Sequence, residues 1–361
     1  MEHLIPGEWF QDLHWAVLLG LVAISMFTLM VGADWLVESA STLARRLGVP
    51  QIIVGATIVS LGTTAPECAV SVMAAWEGNS GLALGNAVGS VIADTGLIFG
   101  LGCLLTRLPV NRFLLDRQGW VQFGSAVVLA GLCYGLWLGH GDMAVVPRWA
   151  GGMFLVLLGV YMVVSVRWSL QDEVQVAEPG ADPVAKMEAD DKTAGKVFVL
   201  LGVLLVGAAT VVASSHVLIE SVEVMARRLS VPDVVLSATL VAFGTSLPEL
   251  VVGVTAIRRG HPELLVGNVI GADVLNVLFV IGASAIAAEL PIVDDSVTDP
   301  FSREIFLRLH LPTMLLILVI FRASIFRAIR VNTFQRWMGA PLLLCYVMFV
   351  IINALYGGGA S

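Results

Sequence analysis

Charge is scarce in this sequence. Of its 361 residues only 13% are Asp, Glu, Lys or Arg, about half of the ~25% that soluble domains carry. Hydrophobic residues make up 57% of the chain. This balance excludes a disordered chain, a coiled coil and an ordinary cytosolic enzyme, and it predicts an all-α polytopic membrane protein embedded in the lipid bilayer. The net charge of −8 argues against nucleic acid as a partner.

Cysteine and nucleotide-binding motifs are also lacking. The four cysteines, Cys68, Cys103, Cys133 and Cys345, lie in or beside apolar runs without CxxC spacing, so we expect small buried side chains and no zinc or redox centre. No P-loop or other nucleotide-binding string is present, so we expect the energy source to be an ion gradient and not ATP. We also expect a protein that is not an enzyme and has no cofactor. The first dozen residues contain no Lys or Arg, so we expect no secretory signal there.

Apolar stretches long enough to span a bilayer, which takes ~20 residues each, dominate the chain. We predict ten transmembrane helices in two sets of five, with a polar, acidic stretch at 169–196 as a solvated loop between them. The predicted organisation is a first half at 1–168, the loop at 169–196 and a second half at 197–361. The ten predicted spans are 14–41, 49–76, 82–105, 119–138, 149–168, 197–224, 234–257, 264–288, 306–321 and 337–356.

The basic residues predict the orientation of the bundle. With ten spans, three quarters of the 20 Lys and Arg residues fall on one side, the side that also holds the long loop. By the positive-inside rule that side is cytoplasmic and both termini are outside.

The sequence contains an internal repeat. A shift of 182 residues aligns 38–100 with 220–282 without a gap, so that Arg45-Arg46 pairs with Arg227-Arg228. Each half has an odd number of predicted helices, so the two copies would cross the membrane in opposite directions. Inverted repeats of this kind are typical of secondary transporters, whose substrate site lies at the midplane between the copies.

Each copy carries a short polar string within apolar sequence. The strings read GTTAPE at 62–67 and GTSLPE at 244–249. They place Glu67 and Glu249 at membrane depth, where a charge costs at least ~2.5–3.5 kcal/mol and usually has a function. The prolines are expected to break the helix locally, which frees backbone carbonyls. The neighbouring hydroxyl groups add candidate oxygen ligands: Thr63, Thr64, Thr245 and Ser246.

A second string follows in each copy, at 85–94 and at 267–276. Ser90 and Asp94 share one helix face, and Asn276 is the repeat mate of Asp94. Glycines four residues apart allow close helix packing. Carboxylates, an amide, hydroxyls and carbonyls together form an all-oxygen site, which suits hard cations such as Ca²⁺ and Na⁺ and does not suit copper or zinc.

Structural roles for these residues remain open at this level. Glu67 and Glu249 could belong to buried ion pairs or be protonated core acids, although no Lys or Arg lies within the predicted helices that carry the strings. Asp94 and Asn276 could have a purely structural role, as a hydrogen bond between two helices. The hydroxyl groups, Ser90 included, could simply bond to a preceding carbonyl.

The two pairs of strings resemble the α-repeats of the sodium/calcium exchanger family. The resemblance implies a prokaryotic calcium/sodium antiporter of the cytoplasmic membrane, in which the first helix of each half slides past a fixed core. It implies that Glu67, Glu249, Thr63 and Thr245 surround Ca²⁺. It further implies that Thr64, Ser246, Ser90 and carbonyls near Ser60 and Ala242 bind Na⁺.

Two departures from the family pattern stand out. The family often has Asn in the first copy and Asp in the second where this chain has Asp94 and Asn276, and Asn276 argues against use of K⁺. Ala272 replaces an expected Ser, which removes one hydroxyl ligand, and Asp273 replaces the usual Asn beside it.

The predicted mechanism is exchange at a shared site. Two glutamates give a charge of −2, which one Ca²⁺ or two Na⁺ neutralise, whereas the empty charged site is costly to occlude. We expect a monomer to be functional. The alternatives are a Ca²⁺/H⁺ antiporter that uses the same glutamate pair, a cation channel, and a membrane scaffold that transports nothing.

Overall fold

The computed structural model describes residues 8–47, 50–176, 192–229, 246–293 and 303–357, and this part of the chain is nearly all helical. The α-helices are α1 Glu8–Gln11, α2 Trp15–Leu47, α3 Gln51–Val54, α4 Ser60–Trp76, α5 Ser80–Ala93, α6 Gly100–Leu105, α7 Arg112–His140, α8 Arg148–Val176, α9 Lys192–Arg228, α10 Leu247–Arg258, α11 Pro262–Leu275, α12 Ile281–Ala287, α13 Leu311–Val331 and α14 Gly339–Gly357.

Shorter elements interrupt and connect these helices. Four π-helical turns lie at Gly55–Val59, Asp94–Phe99, Asn276–Val280 and Phe306–His310, and 3₁₀ turns lie at Gly141–Met143 and Arg336–Met338. The strands are β1 Leu108–Pro109, β2 Val145–Val146, β3 Leu290–Pro291 and β4 Thr333–Phe334. They form two antiparallel pairs, β1 with β4 and β2 with β3.

Nine helices in the described residues are long and apolar enough to cross a membrane. They correspond to nine of the ten predicted spans and confirm an all-α polytopic membrane protein. The tenth predicted span, 234–257, lies largely outside the described residues, and its described end is the helix Leu247–Arg258. The total of ten therefore stays a prediction.

Several helices extend further than the hydropathy pattern predicted. Helix α8 continues to Val176 and α9 begins at Lys192, so both ends of the stretch predicted as a loop, 169–196, are helical; residues 177–191 lie outside the described part. Helix α7 begins at Arg112 and α13 continues to Val331. Polar residues extend these helices because the backbone hydrogen bonding does not depend on side-chain hydropathy.

The extension of α7 and α13 creates a half-buried ion pair that the sequence did not predict, because the predicted span 306–321 ends just before Arg322. Arg322 is only 5% exposed and pairs with the Asp116 carboxylate. Its guanidinium also donates to the Asp116 carbonyl and lies 4.2 Å from the centre of the Trp120 ring and 4.5 Å from that of Phe326. The pair therefore joins α7 to α13.

Removal of Asp116 should weaken this connection without touching transport. We expect Asp116→Ala to lower the free energy of unfolding by about 1–2 kcal/mol, because a buried guanidinium loses its charged partner while Asp116 itself is half exposed. Thermal unfolding in detergent measures this. The control is Asp142→Ala, which breaks the exposed pair with Arg303 and should change the free energy by less than about 0.5 kcal/mol. Equal effects of the two variants would contradict the structural role.

The structural elements recur at the spacing of the sequence repeat. Helices α5 and α11 begin and end 182 residues apart, and each continues into a π turn, at Asp94 and at Asn276. Strands β1 and β3 follow at the same offset. The repeated sequence therefore forms the same local structure twice.

The second copy packs through its glycines. Helix α11 crosses the segment Gln51–Val59, and a Cβ at Gly267 or Gly271 would lie closer than 3.0 Å to the Ile52 or Ala56 carbonyl oxygen. The mates in the first copy differ: a Cβ at Gly85 would meet only the His310 ring at 3.6 Å, an ordinary contact. The predicted close approach of helices at these glycines thus occurs in the second copy.

The two longest helices, α2 and α9, pack mainly against each other. They approach each other closely at Gly32 and Gly207, where a Cβ on Gly207 would lie 3.0 Å from the Gly32 carbonyl oxygen. Only 28% of the apolar window of either helix is buried, compared with 94% for the span Pro262–Ala287. The molecule thus has a well-covered core and a peripheral pair of long helices.

Candidate functional site

The first polar string lies within a continuous helix. Helix α4 runs through Pro66 to Trp76, so the predicted break at the proline is wrong for this copy. The irregular backbone lies earlier, at the π turn Gly55–Val59. Such turns are rare and often occur at functional sites, since the extra residue disrupts the regular hydrogen bonding. In the second copy α10 begins at Leu247, so Pro248 occupies the first turn, where its missing N–H has no cost.

Glu67 and Glu249 come together in the core. Each is 1% exposed, and each carboxylate lies within the electrostatic field of the other. All four of their carboxylate oxygens are buried without a hydrogen-bond partner among the described residues. Two buried carboxylates in this arrangement repel each other and lack donors, so a bound cation would stabilise both.

Hydroxyl groups surround the pair. Thr63 lies beside Glu249 and also donates to the Ser60 carbonyl at 3.3 Å, so the bond to a preceding carbonyl that the sequence allows is present here. The hydroxyl oxygens of Thr64, Ser90 and Ser246 are buried and have no hydrogen-bond partner in the described part of the chain. Thr245 and Ala242 lie outside the described residues.

Asp94 and Asn276 meet across the two copies. The Asn276 amide donates to Asp94 Oδ2 at 3.4 Å, and both side chains are 1% exposed. Ser246 also lies beside the Asp94 carboxylate, which in turn repels Glu67. The helix–helix hydrogen bond is thus present, but Asp94 Oδ1 and Asn276 Oδ1 are left without a partner among the described residues. These two atoms can still act as ligands.

Counter-charge from the protein is lacking at the glutamate pair. Within the described ranges, no Lys or Arg forms an ion pair with Glu67 or Glu249. In the part of the chain that the structure describes, no three acidic, His or Cys side chains cluster tightly enough to hold a metal ion by themselves. The arrangement therefore fits a mixed oxygen site, in which two carboxylates are supplemented by hydroxyl, amide and carbonyl oxygens.

A fourth buried acid, Asp273, has partners that the sequence did not reveal. It is 1% exposed, and its Oδ2 accepts hydrogen bonds from the Thr95 hydroxyl and the Gln122 amide. Gln122 comes from α7, which lies outside the repeated strings and carries no motif that could have identified it. Asp273 also repels Asp94, so it belongs to the same electrostatic cluster.

Polar contacts connect α2 to the core at one end of the bundle. Asp34 pairs with Arg259 at 2.7 Å. Ser41 accepts from Gln51 at 3.0 Å and lies 3.2 Å from His261 Nδ1. Partial burial, followed by the nearby charge of Arg45, lowers the pKa of His261, so the ring is neutral near pH 7 and Nδ1 can accept a hydrogen bond. These bonds are exposed or partly exposed and are individually weak.

The chain is thus a polytopic helical membrane protein with paired acids and several hydroxyl groups buried at its centre. The family is shown by comparison: the model of the sodium/calcium exchanger protein family matches residues 17–167 and 199–355, so the chain belongs to this family. The chain is 30% identical over 356 residues to the sodium/calcium exchanger MaX1 of Methanosarcina acetivorans, covering 93% of this chain and 97% of that protein.

A second sequence relative and a solved structure are also similar to this chain. The inner membrane protein YrbG of Escherichia coli is 30% identical over 271 residues, 74% of this chain and 78% of that protein. A solved structure of the sodium-calcium exchanger NCX_Mj superposes with a TM-score of 0.73 at 23% identity, covering 94% of this chain and 99% of that one. At that identity the likeness establishes the fold alone.

Proposed function

We propose that this protein is a secondary active antiporter that exchanges Ca²⁺ for Na⁺ across the cytoplasmic membrane of a prokaryote. The observation that carries the proposal is the buried pair Glu67 and Glu249, whose four oxygens have no partner among the described residues. The family and the named exchanger relatives support Na⁺ and Ca²⁺ as the ions. The candidate ligands are the pair itself with Thr63, Thr64, Thr245, Ser246, Ser90, Asp94 and Asn276.

The charge of the pair accounts for obligatory exchange. One Ca²⁺ or two Na⁺ neutralise the two glutamates, so either load lets the site be closed off from water. An empty site would retain two like charges in a medium of low dielectric constant, where their repulsion is strong. The transition between inward and outward states therefore occurs only when ions are bound, and movement of one ion drives the other without hydrolysis of ATP.

The moving part is proposed to be the helix pair α2 and α9. Its helices pack mainly against each other, and they bury a much smaller share of their length than the core span does. The Asp34–Arg259 pair and the Ser41–Gln51 bond connect α2 to the core at one end. Because such exposed contacts contribute only about 0.2–1 kcal/mol each, they can break and re-form as α2 slides.

The orientation of the molecule is part of the proposal. The excess of Lys and Arg on the side of the acidic stretch 169–196 supports a cytoplasmic position for that stretch, with both termini outside. We also propose that the chain is organised as two halves, at 1–168 and 197–361. We propose that a single chain contains the complete site, since both glutamates come from the same chain.

The test is isotopic calcium flux into liposomes that contain the purified protein. We expect uptake of Ca²⁺ only when an outward Na⁺ gradient is imposed, and a return to the background rate when the gradient is collapsed. The control is liposomes without protein under the same gradients. Equal uptake driven by a proton gradient alone would replace the proposal with a Ca²⁺/H⁺ antiporter. Rapid uptake without any counter-ion would indicate a channel, and no uptake under any gradient would indicate a scaffold.

A further inference from the structure

The two glutamates of the pair differ in how firmly their backbone is held. Glu67 is the eighth residue of α4, so two turns of the helix precede it. Glu249 is the third residue of α10 and lies in the first turn of that helix. Backbone N–H groups in a first turn have no intrahelical partner, so the helix constrains the backbone of Glu249 less than that of Glu67.

A side chain on the neighbouring helix adds to this difference in the first copy. The amide of Asn86, on α5, donates to the Ser71 hydroxyl at 2.9 Å and, in a longer bond, to the Glu67 carbonyl at 3.4 Å. Ser71 lies one turn after Glu67 on α4, and none of the three residues is more than 4% exposed. Because the bonds are buried, losing one partner leaves a polar group unsatisfied. Asn86 and Ser71 thus tie the backbone of Glu67 to α5.

The second copy lacks the mate of this contact. Asn268 corresponds to Asn86 at the offset of 182 residues, but Gly253, which has no side chain, stands where the first copy has Ser71. Asn268 is 1% exposed, and neither its amide nitrogen nor its amide oxygen has a hydrogen-bond partner among the described residues. Helix α10 therefore packs against α11 without the polar contact that joins α4 to α5.

We propose that Asn86 and Ser71 are positioning residues that make Glu67 the stationary ligand of the pair, and that Glu249 is the ligand that adjusts when one ion replaces another. The inference rests on the proposed function, because it assigns different roles to two ligands of that site. A ligand held in place binds without the cost of being ordered first. A ligand that can shift allows the same oxygens to serve one Ca²⁺ or two Na⁺, which need different arrangements.

The first experiment compares the two asparagines. Asn86→Ala frees the backbone of Glu67, so we expect it to raise the Kd and the KM for Ca²⁺ about 10-fold and to leave the maximal rate within a factor of about two. Equilibrium binding of isotopic Ca²⁺ to the purified full chain in detergent gives the Kd, and uptake into liposomes under an outward Na⁺ gradient gives the KM. Asn268→Ala is the matched control, because it removes an equally buried amide that has no partner among the described residues. It should change both constants less than about two-fold.

The second experiment removes the hydroxyl of the first copy and adds one to the second. Ser71→Ala should weaken Ca²⁺ binding about 3-fold, whereas Ser71→Thr keeps the hydroxyl and should restore it. Gly253→Ser supplies the missing partner for Asn268 and should hold α10 to α11, so we expect a maximal rate about 3- to 10-fold below that of Gly253→Ala. The alanine variant is the control, because it adds the same Cβ, which would lie 3.0 Å from a methyl carbon of Leu265, without the hydroxyl.

Three outcomes would overturn the inference: equal weakening of Ca²⁺ binding by Asn86→Ala and Asn268→Ala, an unchanged Kd in Asn86→Ala, and equal maximal rates for the serine and alanine variants of Gly253. If Asn86→Ala does not fold, the comparison of Ser71→Ala with Ser71→Thr decides instead. Binding in detergent does not require transport. A chain that binds Ca²⁺ with the expected differences but does not exchange it would contradict the proposed function and leave the roles of Asn86 and Ser71 standing, whereas a chain that binds no Ca²⁺ would remove both.

Discussion

Glu67→Gln and Glu249→Gln are each expected to abolish exchange while the protein still folds. Loss of one charged ligand from a buried site costs about 3 kcal/mol or more, which corresponds to at least a ~100-fold lower rate at limiting Ca²⁺. Calcium flux into liposomes under an outward Na⁺ gradient measures the effect. The neutral amide also removes the charge repulsion between the two side chains, so the thermal midpoint should stay the same or rise.

Two control variants make the result specific to the site. Glu77→Gln changes an exposed acid next to the end of the same helix and should leave the flux within a factor of two of the unmodified protein. Asp94→Asn should reduce the flux by about 10-fold or less, since the Asn276 amide already occupies one of its oxygens. Retained exchange in either glutamine variant would remove the basis of the proposed function.

Gly267→Ala is expected to have the largest effect on stability. The added methyl group would meet the Ile52 carbonyl inside van der Waals contact, and the obstacle is backbone that cannot rotate away. Overpacking of this kind typically costs about 1–3 kcal/mol. Thermal unfolding in detergent should show a lower midpoint, and flux should fall as well, because Ile52 leads directly into the π turn Gly55–Val59.

The matched control for Gly267→Ala is its repeat mate. At Gly85 the new methyl group would make an ordinary contact with His310, and alanine favours the helix by up to about 1 kcal/mol over glycine. Gly85→Ala should therefore be neutral or slightly stabilising. Equal destabilisation by the two substitutions would show that helix flexibility, and not the close approach of α11 to Ile52, requires glycine in both copies.

Much of the fold could be predicted from the sequence because membrane spans have a simple physical requirement. Uniform hydropathy over ~20 residues identified nine spans that the structure contains. The repeat and the motif spacing also indicated that Glu67 and Glu249 would meet, along with Asp94 and Asn276. A carboxylate within apolar sequence strongly indicates a functional site, because burying a charge in the membrane costs free energy.

The remaining features depend on contacts between distant segments. Nothing in the sequence around Gln122 or Thr95 indicates that both would donate to Asp273. The predicted span ends just before Arg322 because hydropathy falls there. In the structure the helix continues, and Asp116 and two aromatic rings contact the buried guanidinium. The proline in the first copy was expected to break its helix, but the irregular turn lies before it. The position of such an irregular turn depends on how the helix packs against its neighbours, which the local sequence does not reveal.

The span Pro262–Ala287 has a consequence for how this protein is made. Its mean hydropathy of 2.1 equals or exceeds that of several peripheral spans, although 94% of its apolar window is covered by protein in the finished molecule. A helix so enclosed gains nothing from lipid once assembly is complete. Its high hydropathy instead favours insertion into the membrane during synthesis, before the neighbouring helices pack around it. A substitution in this helix must therefore meet two requirements, hydropathy for insertion and side-chain shape for packing in the assembled protein.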